Sequence, residues 1–370
     1  MTSDPPGLDL TALRGWLDAA APGLVEGPIH AELITGGKSN LTYRVSDGSS
    51  AVVVRRPPLG HVLVTAHDMA REHRVMSALH ETAVPVPRML ALCADASVVG
   101  APFYVMELVD GVPYRTAESL ETLGEKRTRQ IADEMVDTLA DLHMVDPAAV
   151  GLADFGRPQG FLARQVRRWG QQLDASSTRD LAGADELRRL LEQGVPTNGD
   201  RRDSAVVHGD YRLDNLLVTS DGTGDHIAAV VDWEMATLGD PLTDVALLLT
   251  YHRLADLGLG AVVSDAATAP GFPSRDDVTS RYVARTGRSL DQLAFHEALA
   301  CFKLAVILEG IHYRDVHAQT VGGGFAGIGT MVEPLIDMGL DAVRRPVTEH
   351  PVTEHPMTEP PMTEPPMEEH

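Results

Sequence analysis

The sequence predicts an α+β fold of two unequal lobes, a small N-terminal antiparallel sheet carrying one helix and then a larger, mainly helical lobe. Three observations predict it. Strand-like runs alternate with glycine-rich turns from Ile29 to Val54, the punctuation of an antiparallel sheet. A buried-strand run from Phe103 breaks into a turn at Asp110-Gly111, after which apolar residues recur at helical spacing. Within that helical part, Leu216-Leu217-Val218 and Ile227-Ala228-Ala229-Val230-Val231 bracket the turn-rich Asp221-Gly222-Thr223-Gly224-Asp225, which reads as a hairpin. The expected division is a helical leader over 1–28, the small lobe over 29–108, the large lobe over 109–345 and a tail over 346–370.

Each element follows from local pattern. Leu10, Leu13, Trp16 and Leu17 form the apolar face of a short leading helix. Gly36 and Gly37 separate Ala31-Glu32-Leu33-Ile34 from Leu41-Thr42-Tyr43-Arg44-Val45. A hairpin tip without Cβ atoms lets backbone N–H groups approach phosphate oxygens, though two glycines also make an ordinary turn. A helix over 66–80 sets Met69, Glu72, Met76 and Leu79 on one stripe. A carboxylate on an apolar face is costly to bury alone, so Glu72 is expected to meet a cation, unless it sits at the stripe's edge. Phe103-Tyr104-Val105-Met106-Glu107-Leu108-Val109 suits the connector between lobes. A long helix then buries Ile131, Met135, Leu139 and Leu142, with His143 a structural residue at its end. Asp240-Pro241 reads as a helix start, Asp at the N-cap and Pro at the first position, with Asp244 in the first turn.

The stretch His208-Gly209-Asp210-Tyr211-Arg212-Leu213-Asp214-Asn215, followed by Val231-Asp232-Trp233-Glu234, carries the chemistry. Phosphoryl transfer uses an Asp to receive the proton of an acceptor hydroxyl and an Asn farther along the same loop to hold a metal ion, and Asp210 and Asn215 have that spacing. If the hairpin turn centres on Thr223 and Gly224, Asn215 and Asp232 face each other across strands about 4.8 Å apart. An amide oxygen, a carboxylate and nucleotide phosphates are a sufficient ligand set for Mg²⁺. Glu234, on the same side of an extended chain as Asp232, is an additional candidate ligand. His208 is read as a group that fixes the loop, with Arg212 in support. The competing reading is that these Asp and Asn residues only cap turns.

The chain resembles the aminoglycoside phosphotransferase and choline kinase superfamily, whose catalytic loop reads H-G-D-x-x-x-x-N. The resemblance covers about residues 30 to 340 and implies a protein-kinase-like fold. More narrowly, Gly36-Gly37-Lys38-Ser39-Asn40, Val54-Arg55-Arg56-Pro57-Pro58 and Asp232-Trp233-Glu234-Met235-Ala236-Thr237-Leu238-Gly239-Asp240-Pro241 resemble the kinase-like domain associated with acyl-CoA dehydrogenases. No dehydrogenase domain is expected in this chain. The resemblance implies that Lys38, Ser39 and Asn40 cover the nucleotide phosphates and that backbone groups at Glu107, Leu108 and Val109 bond the base. It also implies that Asp244 bonds the backbone of the catalytic loop; a simple helix-dipole acid is the alternative. Protein kinases place a Lys where this chain has Arg55, a departure from the general pattern. The narrower relatives tend to carry Arg, so Arg55 is expected to contact phosphate and pair with Glu72. Arg grips carboxylate and phosphate in bidentate fashion, with a reach different from that of Lys.

Composition bounds the partners. A net charge of −22 argues against nonspecific nucleic-acid binding, which needs a positive surface. Cys93 and Cys301 lie in apolar contexts without metal-ligand spacing, which suits buried thiols in a reducing compartment. No apolar run is long enough to cross a bilayer, and the expected location is the cytoplasm. The tail repeats Pro-Val-Thr-Glu-His and Pro-Met-Thr-Glu-Pro before Pro-Met-Glu-Glu-His; it is expected to be disordered, as a docking peptide for an unidentified protein or a solubilising extension.

The activity expected is Mg²⁺-assisted transfer of the γ-phosphoryl group of ATP, or of GTP, to the hydroxyl of a small molecule. Arg164, Arg167 and Arg168 share a helix face near Phe161 and Trp169, a cluster able to meet an anion carrying an aromatic base. This favours a hydroxyacyl-CoA or another anionic hydroxylated metabolite over an aminoglycoside, with a solvated helix face as the plain alternative. A non-catalytic nucleotide-binding scaffold is the reading of another class. Arg55 in place of Lys supports it, and the joint presence of Asp210, Asn215 and Asp232 opposes it.

Overall fold

The computed structural model describes residues 4–34, 40–59, 67–177, 179–196, 204–258, 264–317 and 327–345. Lys38, Ser39 and the expected tail lie outside them. In chain order come α1 (Leu10–Ala20), β1 (His30–Leu33), β2 (Leu41–Ser46), β3 (Ala51–Arg56), α2 (Met69–Leu79), β4 (Met89–Cys93) and β5 (Phe103–Glu107). The large part follows with α3 (Ala117–Glu121), α4 (Glu125–Met144), α5 (Phe161–Ser176), α6 (Ala184–Gln193), β6 (Ala205–Val207), β7 (Leu216–Asp221), β8 (Gly224–Val230), β9 (Thr237–Gly239), α7 (Leu242–Asp256), α8 (Arg275–Thr286), α9 (Leu293–Val316) and α10 (Val332–Arg344). The fold is α+β, a five-stranded antiparallel sheet ahead of a mostly helical remainder. No helix among the described residues is long and apolar enough to cross a membrane.

The sheet order is β1-β2-β3-β5-β4, and strand alternation explains what each face carries. On β3 and β5, Val52, Val54, Phe103 and Val105 pack with Leu13 and Leu17 of α1. Their neighbours Val53, Tyr104 and Met106 join the core built on Met69, Val75 and Met76 of α2. The leading helix thus packs on the sheet: Leu13 and Leu17 are buried, and Trp16 meets the Phe103 ring edge-on at 4.8 Å. Arg55 shares the parity of Val53, so its side chain rises on the α2 face, where Glu72 lies.

The connector is tied to the hairpin below it. Val112 and Val218 exchange both backbone hydrogen bonds, at 2.8 and 3.1 Å. Arg71 of α2 crosses to the other lobe, bonding the Phe155 carbonyl at 2.8 Å and the Ala236 carbonyl at 3.2 Å. Beneath, α4 packs on β8 and α8, while α5, α7 and α10 surround α9.

Three local expectations need correction. The β7–β8 turn sits on Gly222 and Thr223, since Asp221 pairs with Gly224, and the register shifts between Leu217 and Val218. Asn215 therefore faces Val231, whose amide donates to its carbonyl at 2.9 Å, and Asp232 lies one residue farther on. Chain after Asp232 is not extended: Asp232 is left-handed at φ 68°, and Trp233–Met235 forms a short helical turn. Helix α7 begins one residue later than expected, with Pro241 at the N-cap; Asp240 still accepts from the Leu242 amide at 3.0 Å.

Candidate active site

The loop between β6 and β7 is held from beneath by a buried acid. Asp244, in the first turn of α7 and fully buried, accepts from the His208 amide at 2.6 Å and the Gly209 amide at 2.8 Å. His143, at the end of α4, stands behind it, its Nε2 3.3 Å from Asp244 and its Nδ1 2.8 Å from the Tyr282 hydroxyl. Burial pushes the Asp244 pKa up, and the hydrogen bond and charge of His143, with the His208 charge and the Gly209 amide, carry it below its ordinary value. Gly209 has φ +85°, and a Cβ there would come within 2.8 Å of the Met235 backbone oxygen, so a larger residue cannot occupy this bend. His208 crosses to the hairpin, its Nε2 3.0 Å from the Val231 carbonyl, and accepts at Nδ1 from the Asp210 amide at 3.3 Å. Its ring is buried beside Trp233 and Tyr211.

These contacts present Asp210, whose side chain is 27% exposed. Oδ1 accepts from Tyr251 at 2.9 Å; Oδ2 lies 3.3 Å from Asn215 Nδ2 and 3.5 Å from Arg212 Nε. Arg212 also reaches Asp214 at 2.9 Å. Burial works against the Arg212 charge, and Asp210, Tyr251 and Asp214 raise its pKa above the ordinary value. Asn215 donates from Nδ2 to the Asp210 carbonyl at 2.8 Å, so Oδ1 is the atom of this amide that could ligate a metal ion.

Asp232 stands across from this loop, its side chain 29% exposed, and is the one non-glycine residue at positive φ among those described. Such a conformation costs on the order of 1 kcal/mol or more and persists where surroundings enforce it. The surroundings are Arg55, whose Nη2 bonds Asp232 Oδ1 while Nε bonds Glu72 at 3.1 Å. Glu72 is 1% exposed and has the cation expected of a buried carboxylate. It also accepts from Tyr104 at 2.9 Å and from Asn40 at 3.2 Å. Burial lifts the Glu72 pKa, with Arg55 and Tyr104 opposing the lift. Burial likewise disfavours the Arg55 charge, and Tyr104, Glu72 and Asp232 more than restore it.

Other expected residues stand elsewhere. Glu234 accepts from Asn40 Nδ2 at 3.0 Å on its helical turn, not beside Asp232 on an extended strand. Asn40 itself is buried and turned inward, with Oδ1 2.8 Å from His67. Glu107 anchors the connector: its amide bonds the Arg88 carbonyl at 3.0 Å, and its carboxylate accepts from the Arg88 amide at 2.8 Å. Leu108 packs against the central core, and Val109 follows it out of β5. The arginine face of α5 divides. Arg164 closes onto the Arg157 and Gln159 carbonyls, Arg167 is exposed, and Arg168 lies 5.4 Å from the Trp169 ring centre. Phe161 and Trp169 are core residues, 8% and 4% exposed, so they offer no platform for a base.

Sequence reasoning missed Tyr251 and Lys303. Tyr251 lies two turns after Asp244 on α7, so the two side chains share a face; that spacing was a usable signal. Lys303 is a lone cation in the apolar middle of α9, the same kind of interruption that marked Glu72 in α2. Its ammonium donates to the Gly209 carbonyl at 2.6 Å.

The donor set at Asn215 and Asp232 fits a hard divalent cation. Both offer oxygen, one from an amide and one from a carboxylate. That is the pattern of Mg²⁺ sites, which take one or two protein ligands and complete the shell with water and substrate phosphates.

Residues 30–278 match the model of the phosphotransferase enzyme family. The acyl-CoA dehydrogenase family member 11 of Gallus gallus is 34% identical over 91% of this chain and 44% of that protein, so the chain spans less than half of this relative. A solved Ralstonia eutropha structure, assigned as an aminoglycoside phosphotransferase, is 34% identical with TM-score 0.78, covering 90% of this chain and 98% of that one. The fold is also that of an aminoglycoside phosphotransferase solved with AMP-PNP and hygromycin B, with TM-score 0.56 and 14% identity over 90% of this chain and 98% of that one.

Proposed function

We propose that this chain, which belongs to the phosphotransferase enzyme family, transfers the γ-phosphoryl group of ATP to a hydroxyl of a small molecule, a hydroxyacyl-CoA being the favoured acceptor. The observation that carries the reading is the convergence of Asp210, Asn215 and Asp232 across the loop and the hairpin. Asp210 and Asn215 are joined in the loop and braced by Tyr251 and Arg212, while Asp232, next to the Val231 that bonds the Asn215 backbone, is held by Arg55. A scaffold that only bound nucleotide would need no carboxylate poised beside a metal-binding amide.

In this mechanism Asp210 orients the acceptor hydroxyl and receives its proton as the oxygen attacks phosphorus. Tyr251 and Arg212 fix that carboxylate at its two oxygens. Asn215 and Asp232 are the residues that would hold Mg²⁺, which supplies charge neutralisation at the phosphates. Arg55, anchored by Glu72, is placed to meet phosphate as well as Asp232. Lys38 and Ser39 complete the proposed nucleotide site from outside the described residues, and the backbone at Leu108 and Val109 is proposed to meet the base. The acyl-CoA dehydrogenase name of the matched relative supports a CoA thioester as the acceptor class.

The experiment is transfer of labelled γ-phosphate from ATP with Mg²⁺ across hydroxyacyl-CoAs, aminoglycosides, choline and sugars. Label on a hydroxyacyl-CoA supports the full reading. Label on an aminoglycoside alone overturns the acceptor, and nucleotide binding without label on any acceptor favours a scaffold.

A further inference from the structure

Lys303 is buried, 8% exposed, within the apolar run 298–308 of α9, a helix that also buries His296, Glu297 and Glu309 on either side of that run. An ammonium has three donors, and the Gly209 carbonyl, one peptide before Asp210, is its single hydrogen-bond acceptor among the described residues. The Trp169 ring centre lies 5.8 Å from this ammonium and 5.4 Å from the Arg168 guanidinium carbon, so two cations share one indole. Arg168 is exposed and makes no ion pair among the described residues.

Like charges held together cost energy unless an anion lies between them. In a chain with 53 acidic side chains, carboxylates meet most of the cations around the loop: Arg212 lies between Asp210 and Asp214, and Arg55 between Glu72 and Asp232. Burial lowers the Lys303 pKa; Asp210 and Asp244 oppose that, and Arg168 adds to it. Lys303 thus meets the loop from α9, and Arg168 of α5 meets the same indole with no ion pair of its own among the described residues.

We infer that Lys303 and Arg168 bind an anionic group of the phosphate acceptor, a carboxylate or a phosphate, and so set its hydroxyl against Asp210. The inference rests on the phosphotransferase reading and deepens it by naming the residues that hold the acceptor's anionic group. A polycationic acceptor would be repelled by this pair. Arg168 and Lys303 are specificity residues here; the proton goes to Asp210.

The test measures binding without turnover. A free hydroxy acid, its CoA thioester and the matching neutral diol are titrated calorimetrically into the whole protein with Mg²⁺ and a non-hydrolysable ATP analogue. Lys303→Met and Arg168→Ala are compared with the unchanged protein, and Arg189→Ala removes an exposed charge from α6 as a control. The expected result is that the anionic probes bind the unchanged protein more tightly than the diol. Each test variant weakens them about tenfold, the loss of one charge-assisted hydrogen bond, and Arg189→Ala does not. Weakening confined to the thioester assigns the contact to its phosphates; weakening of the free acid assigns it to the carboxylate. Anions that bind both variants as tightly as the unchanged protein, or that bind the unchanged protein no better than the diol, overturn the inference. Should Lys303→Met fail to fold, exposed Arg168 decides the matter alone. Anion binding with no phosphoryl transfer would overturn the reaction and spare this site, whereas transfer to neutral acceptors without anion binding would do the reverse.

Discussion

Tyr251 donates its hydroxyl to Oδ1 of Asp210 at 2.9 Å, from the same helix that supports the loop through Asp244. One rigid element thereby fixes both the backbone and the carboxylate of the proposed base. Burial and the neighbouring Asp210 charge hold the Tyr251 pKa well above its ordinary value, so it remains a donor. Tyr251→Phe removes one hydrogen bond to a charged group, worth about 1.5–3 kcal/mol. The expected outcome is a fall in kcat of about tenfold or more with an unchanged KM for ATP. A raised KM for ATP at full kcat would instead place Tyr251 on the nucleotide side.

Arg55 joins Glu72 of α2 to Asp232 of the hairpin end, and Lys has neither the planar fork nor the reach to do both. Arg55→Lys is expected to raise the KM for ATP roughly tenfold with a smaller effect on kcat, about 1.4 kcal/mol of binding. Arg55→Met leaves Glu72 buried without its cation, and a loss of about 3–5 kcal/mol is expected in denaturant unfolding. Equal stability of the two variants would show that Tyr104 and Asn40 suffice for Glu72.

Asp244→Asn replaces the charge under the loop with an amide that cannot serve the His208 and Gly209 amides and His143 as acceptor with the same strength. A stability loss of about 3 kcal/mol is expected, with a fall in kcat from a loosened Asp210. The pKa of Asp244 is depressed in the fold, so its contribution is present above the unfolded carboxyl range near pH 4 and is lost as pH falls through the lower folded value. The variant should lack that share of acid sensitivity.

His252 titrates in the other window. Burial first, then the nearby Arg275 charge, hold its pKa down at about 4, and Nε2 has no hydrogen-bond partner among the described residues. The unfolded chain takes up this proton near pH 6.5, so stability declines as pH drops from about 6.5 to 4, by roughly 3 kcal/mol in all. In His252→Phe, unfolding midpoints between those pH values should fall less steeply than in the unchanged protein. Parallel pH profiles would exclude His252 as a source of acid lability.

Much of the site was legible because its residues are close in sequence: Asp210 and Asn215 sit in one loop, and Asp232 follows a short hairpin. The one-residue error in register came from the bulge between Leu217 and Val218, which pattern does not reveal when both strands are apolar. The place of Glu234 was misjudged because Asp232 adopts a left-handed conformation and the chain after it turns into a short helix, which alternation along a strand does not anticipate. Glu72 could be read as needing a partner from its place on an apolar stripe. Tyr251 and Lys303 carried signals, a helix face shared with Asp244 and a lone cation in an apolar run, but only the packing of α7 and α9 shows that both meet the loop. The arginines of α5 looked alike in sequence, and Arg164 was separated from Arg168 by its capture of two loop carbonyls.

The central claim is that Asp210 accepts a hydroxyl proton during phosphoryl transfer, and Asp210→Asn tests it while keeping nearly the same shape. Single-turnover transfer of labelled γ-phosphate is measured for both proteins alongside binding of an ATP analogue. The account predicts a rate at least about a hundredfold lower in Asp210→Asn, with analogue affinity within about twofold. Transfer by Asp210→Asn at the unchanged rate would contradict it.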